Sequence, residues 1–138
     1  MALTAEVPGE IVARLREACL RLPEAYEEQA WVGTRWRVGR KTFAHVLVVQ
    51  DGRPPAYARA AGTSGPAVVL TFRSSGEELA ALGGLGHPFF RPPWFRDIVG
   101  MVVEEDVDWS EVAELLAESY RHLAPRRLAE QLDPPPER

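Results

Sequence analysis

The chain reads as a single compact α+β domain, an antiparallel sheet with helices packed on one face, and three observations predict it. Apolar residues recur at helical spacing near the start, alternate through the middle, and return to helical spacing near the end. Two of the alternating runs are joined by a two-residue turn containing glycine, which makes them antiparallel neighbours. The 138 residues, 46% of them apolar, are enough for one ordinary core.

The elements follow in order. Pro8 suits the first position of a helix, and Ile11, Leu15, Ala18, Cys19 and Leu22 recur every three or four residues, so a helix is predicted over 8–22 with Pro23 ending it. The polar stretch "EAYEEQ" connects it to a strand beginning near Ala30, where Trp36 and Val38 alternate with Arg35 and Arg37. Gly39-Arg40 forms the turn, with glycine supplying a positive φ, and "KTFAHVLVV" is the return strand. Pairing Val38 with Lys41 sets Arg37 opposite Thr42 on the solvent face. The same register sets Trp36 opposite Phe43 on the buried face, where His45 also falls.

Residues 50–66, rich in Gly, Pro, Ser and Arg, read as a loop with a short extended piece at Tyr57, and "AVVLTFR" over 67–73 reads as a buried strand. Ser75 and Glu78 have the spacing of a capping box for a short helix that "GGLG" ends. The aromatic loop 86–96 is stiffened by Pro88, Pro92 and Pro93; most of Phe89, Phe90 and Phe95 should be buried, with Trp94 the ring left most open. A strand over 97–104 follows. A second capping box, Asp108 and Glu111, then opens a long helix striped by Val112, Leu115, Leu116, Tyr120 and Leu123. A short helical piece, "PRRLAEQL", completes a domain spanning 1–132, and the tail 133–138, "DPPPER", is expected to be disordered.

Composition narrows the function classes. A single cysteine forms no internal disulfide, the N-terminal residues lack the basic and apolar segments of a signal peptide, and no apolar run approaches the roughly 20 residues of a membrane helix. A cytoplasmic protein without membrane contact is expected. The net charge of −4 is unevenly distributed: residues 29–76 hold seven cations against Asp51 alone, a net +6, so the rest of the chain carries −10. A basic middle between acidic ends fits a phosphate-binding surface, and it equally fits a sheet face solvated by arginines.

No catalytic constellation stands out. Cys19 lies on an apolar helix stripe and reads as a small core residue. His45, His87 and His122 are far apart and lack metal-site spacing, "GGLG" lacks the flanking strand and lysine of a phosphate loop, and Ser64 and Ser119 sit in no nucleophile elbow. The acidic run "EEDVDW" precedes a helix, whose N-terminus attracts anions. No metal, no cofactor and no enzymatic activity are therefore expected.

Residues 19–46 and 108–132 together resemble the MmcQ/YjbR family, described as double-wing DNA-binding proteins. The resemblance rests on Leu22-Pro23-Glu24, on Arg37-Val38-Gly39 with Phe43-Ala44, and on Ser119-Tyr120 followed by Ala124-Pro125-Arg126-Arg127-Leu128. It implies a CyaY-like α+β arrangement in which hairpins act as wings. Asp97-Ile98-Val99-Gly100 departs from the Gly-Trp-Val-Gly pattern usual in such proteins, and Trp36 stands where phenylalanine is more usual.

The resulting expectation is weak DNA binding through a basic wing bearing Arg35, Arg37, Arg40 and Lys41, with Arg91, Trp94 and Arg96 as a possible stacking site beside it. The alternative is a module for a protein partner or small ligand, using a sheet surface lined by Trp31, Trp36, Tyr57 and Trp94. A monomer or weak dimer is expected in either case.

Overall fold

A computed structural model describes residues 6–132; the tail expected to be disordered lies outside the described residues. Helix α1 (Gly9–Leu20) buries Leu15 and Cys19. After it come β1 (Tyr26–Gln29), β2 (Thr34–Val38) and β3 (Lys41–Val49), and then α2 (Pro55–Ala61), β4 (Ala67–Arg73) and α3 (Gly76–Leu85). The chain continues through β5 (Phe89–Phe90), β6 (Ile98–Val103), α4 (Trp109–Leu123) and α5 (Arg126–Leu132). The six strands form one antiparallel sheet in the order β1-β2-β3-β4-β6-β5.

The main core lies between the sheet and α1, α4 and α5. It joins Leu15, Cys19, Leu116, Tyr120 and Leu128 to Trp36, Phe43, Val46, Leu70, Phe72 and Val99. The opposite face has a smaller cluster of Leu47, Val49 and Val69, covered by Tyr57, Ala58 and Ala61 of α2 and by Phe90. The segment 50–66 is thus more than a loop. Its signals were those of a helix, with Pro55 at the start, an alanine-rich run, and Gly62 left-handed at the C-cap.

The β2–β3 register begins as the turn dictates, with Val38 opposite Lys41 and Arg37 opposite Thr42, and then shifts at a bulge. Trp36 pairs with Ala44, not with Phe43. Phe43 is the extra residue, so Phe43 and Ala44 both join the main core. Beyond the bulge every side chain of β3 is on the face opposite to the one a regular hairpin gives, which puts His45 beside Arg35 on the α2 face and away from Trp36.

The bulge also interrupts the β3–β4 ladder, whose last pair is Ala44 with Phe72. Ser119 of α4 fills the gap: its fully buried hydroxyl donates to the Phe43 carbonyl at 2.6 Å and accepts from the Arg73 amide at 2.8 Å. Beside it Tyr120 meets Phe43 edge-on, ring centres 5.5 Å apart, and donates to the Pro23 carbonyl at 2.6 Å. Ser119-Tyr120 is therefore a structural pair that locks α4 to the sheet and to the end of α1.

Strand β1 forms within the stretch read as a polar connection. Its pairing with β2 sets Glu28 opposite Arg35 and Glu27 opposite Trp36, and cross-strand complementarity replaces the apolar alternation that usually signals a strand. Gly33, at φ +74°, turns the chain between β1 and β2, and a Cβ there would stand 1.9 Å from the Val46 carbonyl oxygen. Helix α3 extends past Gly83-Gly84 to Leu85, and Gly86 ends it at positive φ. Ser75 makes no capping bond; Ser74 instead donates to Glu78. At α4, Asp108 accepts from the amides of Ser110 and Glu111 at 3.0 and 3.3 Å, as its N-cap position predicts.

Candidate nucleic-acid interface

Alternation along the strands assigns side chains to the two faces. With Trp36 packed under the helices, Arg35 and Arg37 project from the α2 face of β2. Both are engaged by Glu28: Arg35 Nε donates to its Oε1 at 2.7 Å and Arg37 Nη1 to the same oxygen at 3.3 Å. These contacts, the Arg35 bond foremost, hold the Glu28 carboxyl below the usual carboxylate range. Arg37 also donates to the carbonyl of Arg40, and its Nε is buried without a partner. Arg40 and Lys41 occupy the hairpin tip, both exposed, and no carboxylate of the described residues pairs with either.

Beyond the tip the face becomes aromatic. His45 Nε2 donates to the Val32 carbonyl at 2.7 Å, which leaves Nδ1 facing the Tyr57 hydroxyl at 3.4 Å. Burial pushes the His45 pKa down against the raising effect of that carbonyl, with the nearby Arg35 lowering it further. Burial likewise raises the Tyr57 phenol. The Tyr57 ring meets His45 at 6.1 Å on one side and Trp94 at 4.9 Å on the other, both edge-on. Next along the sheet, Arg73 lies 5.1 Å over the Phe95 ring while donating from Nη1 to both oxygens of Asp97.

The seven residues singled out from the sequence thus form two groups. Arg35, Arg37, Arg40 and Lys41 sit near the β1–β2 edge; Arg91, Trp94 and Arg96 belong to the segment before β6 near the other edge. Three strand spacings separate β2 from β6, about 14 Å at 4.8 Å each. Trp94 reaches back across this interval through Tyr57 and His45. Arg91 is a brace: Nε donates to the Ile98 carbonyl at 3.2 Å and Nη2 to the Arg96 carbonyl, with its stem against Gly83. Arg96 is exposed.

The aromatic loop resolves differently from the expectation. Phe89 and Phe90 are half-buried on opposite faces, and the Phe90 ring lies across Gly100, where a Cβ would be 2.2 Å away. Trp94 is half-buried and Phe95 is the open ring at 54% exposure. The surface of four aromatics named as the alternative is not assembled. Trp36 is fully buried on the other face and Trp31 projects from the β1–β2 turn at 93% exposure, so only Tyr57 and Trp94 meet.

Sequence reasoning missed Glu28, hidden in a strand with no apolar alternation, and misplaced His45, which the bulge carries to the face opposite Trp36; Tyr57, named with the alternative surface, meets Trp94 through α2. Elsewhere, His87 lies 3.0 Å from Glu104 and His122 lies 3.6 Å from Asp97, and among the described residues no three His, Cys, Asp or Glu side chains are grouped to hold a metal. Cys19 is fully buried, and its desolvation pushes the thiol pKa strongly up. No helix of the described residues is long and apolar enough to cross a membrane.

These features define a class: an α+β domain whose described residues form an antiparallel six-stranded sheet, with a main helical core on one face and an arginine- and aromatic-bearing surface on the other. The chain belongs to the YjbR family, whose model matches residues 20–122. Among solved structures it is similar to Deinococcus radiodurans protein DR2400, described as a DUF419 domain, with 19% identity, a TM-score of 0.61, and coverage of 90% of this chain and 88% of that one. At that identity the likeness is one of fold. No curated protein matches the chain.

Proposed function

We propose that the chain is a non-enzymatic domain that binds nucleic acid weakly and without sequence preference through the basic wing formed by β2 and β3. The observation that carries this reading is the placement of Arg40 and Lys41. They are exposed and unpaired at the wing tip, at one margin of the face that also holds Arg35, Arg37 and the His45–Tyr57–Trp94 row. Phosphates supply the affinity in such a contact, and open rings such as Phe95 add stacking with an unpaired base.

Ion pairing sets the magnitude. With Arg35 and Arg37 held by Glu28, two cations remain for phosphates, and the logarithm of the binding constant should fall against that of salt with a slope of about −1.8 for duplex DNA. Dissociation constants of about 10⁻⁴ to 10⁻⁶ M are expected, the range of non-specific binding. The test is fluorescence anisotropy of labelled duplex and single-stranded DNA against nuclease-treated protein over a salt series. Arg40→Glu with Lys41→Glu should abolish binding while leaving the fold unchanged. If the wild type shows no salt-dependent association at about 20 mM salt, where screening is weak, or if the double variant binds equally well, the wing reading fails. The module for a protein or small ligand, with Tyr57 and Trp94 as its contact pair, then becomes the better account.

A further inference from the structure

An open cleft of about 1030 Å³ lies at the end of the sheet where β3 finishes, β4 begins and α1 and α4 start. Its apolar wall includes Ile11, Val68, Val102, Val107 and Trp109, and four carboxylates line it: Glu6, Glu10, Glu104 and Glu105. The opposing groups are Arg14, which lies 5.9 Å over the Trp109 ring, and His87, which is bonded to Glu104. Of the acidic run before α4, only Asp108 serves as the helix cap; Glu104 and Glu105 face the cleft instead.

We propose that this cleft takes the basic wing tip, Val38 to Lys41, of a second copy of the chain. Charge complementarity on the molecule itself identifies the occupant. The tip presents Arg40 and Lys41 unpaired, and the cleft presents an excess of carboxylates above an apolar floor that can receive the aliphatic stems of both side chains. Strand β3 runs from tip to cleft, eight residue steps or about 26 Å, so a chain cannot fill its own cleft. The contact joins different surfaces of the two copies, head to tail, and repeats along an open row unless rotation closes a ring. Nucleic acid at the wing and a second copy at the wing exclude one another.

The test is sedimentation velocity on nuclease-treated protein without added nucleic acid, so its outcome does not depend on whether DNA binds. At about 10 mM salt, where charges act over about 30 Å, the weight-average sedimentation coefficient should rise with protein concentration, and at about 1 M salt it should not. Arg40→Glu with Lys41→Glu should be monomeric, and so should Glu104→Lys with Glu105→Lys. All four positions are exposed, and circular dichroism checks that both variants fold. An equimolar mixture of the two variants should associate again, because each supplies the surface complementary to the other. A wild type that stays monomeric at low salt overturns the proposal, as does a mixture that fails to associate. Binding of an oligolysine peptide by a monomeric wild type also overturns it and makes the occupant a foreign basic segment.

Discussion

On the proposed wing reading, Glu28→Gln should make nucleic-acid binding tighter and more salt-sensitive. In the folded protein one carboxylate oxygen of Glu28 engages both Arg35, at 2.7 Å, and Arg37, at 3.3 Å. The arginines hold this carboxyl below the ordinary range, so it stays ionised through neutral pH and keeps two of the four wing cations engaged in ion pairs. Replacing it by the isosteric amide removes the charge without altering the pairing of β1 with β2, which is made by the backbone. With four cations available instead of two, the slope of log K against log salt for duplex DNA should steepen from about −1.8 to about −3.6. Raising salt from 50 to 200 mM would then cost about 150-fold in affinity rather than about 12-fold. Anisotropy titrations of both proteins against one labelled duplex measure this, and Glu28→Gln combined with Arg35→Gln should fall between them at about −2.7. A slope and affinity unchanged by Glu28→Gln would refute the reasoning, since Arg35 and Arg37 would then not meet phosphate on release.

Two further outcomes follow from the interior. Ser119→Ala removes the hydroxyl that bridges the Phe43 carbonyl and the Arg73 amide, leaving both buried groups unpaired, and should cost about 2–4 kcal/mol. Thermal unfolding should shift down by roughly 6–15 °C for a domain of this size, and an unchanged Tm would show that the opened ladder closes without it. His45 is held neutral by burial, so its folded pKa lies below its unfolded value of about 6.5 and the unfolded chain binds the extra proton between the two. Stability from this group is complete above about pH 6.5 and falls as pH drops below it, at no more than about 1.4 kcal/mol per pH unit. Denaturant midpoints of the wild type should therefore decline relative to His45→Gln between about pH 6.5 and 5, and parallel profiles would contradict the assignment.

The sequence by itself determined the elements whose signals are local. The stripe from Val112 to Leu123, Asp108 at its cap, the turn at Gly39-Arg40 and the apolar run of β4 all follow from periodicity and backbone chemistry acting within a few residues. The family was also legible there, in motifs such as Ser119-Tyr120, although their meaning was not. That meaning is a hydroxyl inserted into a ladder between residues far apart in the chain, and it exists because a bulge at Phe43 breaks the ladder. Whether a strand bulges is decided by how its side chains fit partners on other elements. Here Phe43 and Ala44 must both enter the core beside Tyr120, and the resulting one-residue shift sends His45 to the opposite face. The interface depended on tertiary structure in the same way. Arg35 and Arg37 were visible as cations, but their ion pairing required Glu28 on a strand defined only by its partner. The meeting of Tyr57 with Trp94 required α2 and the loop before β6 to fold onto one sheet face from opposite directions. Charge and periodicity are properties of the chain; which charges cancel and which rings touch depends on distances that only the packed sheet sets.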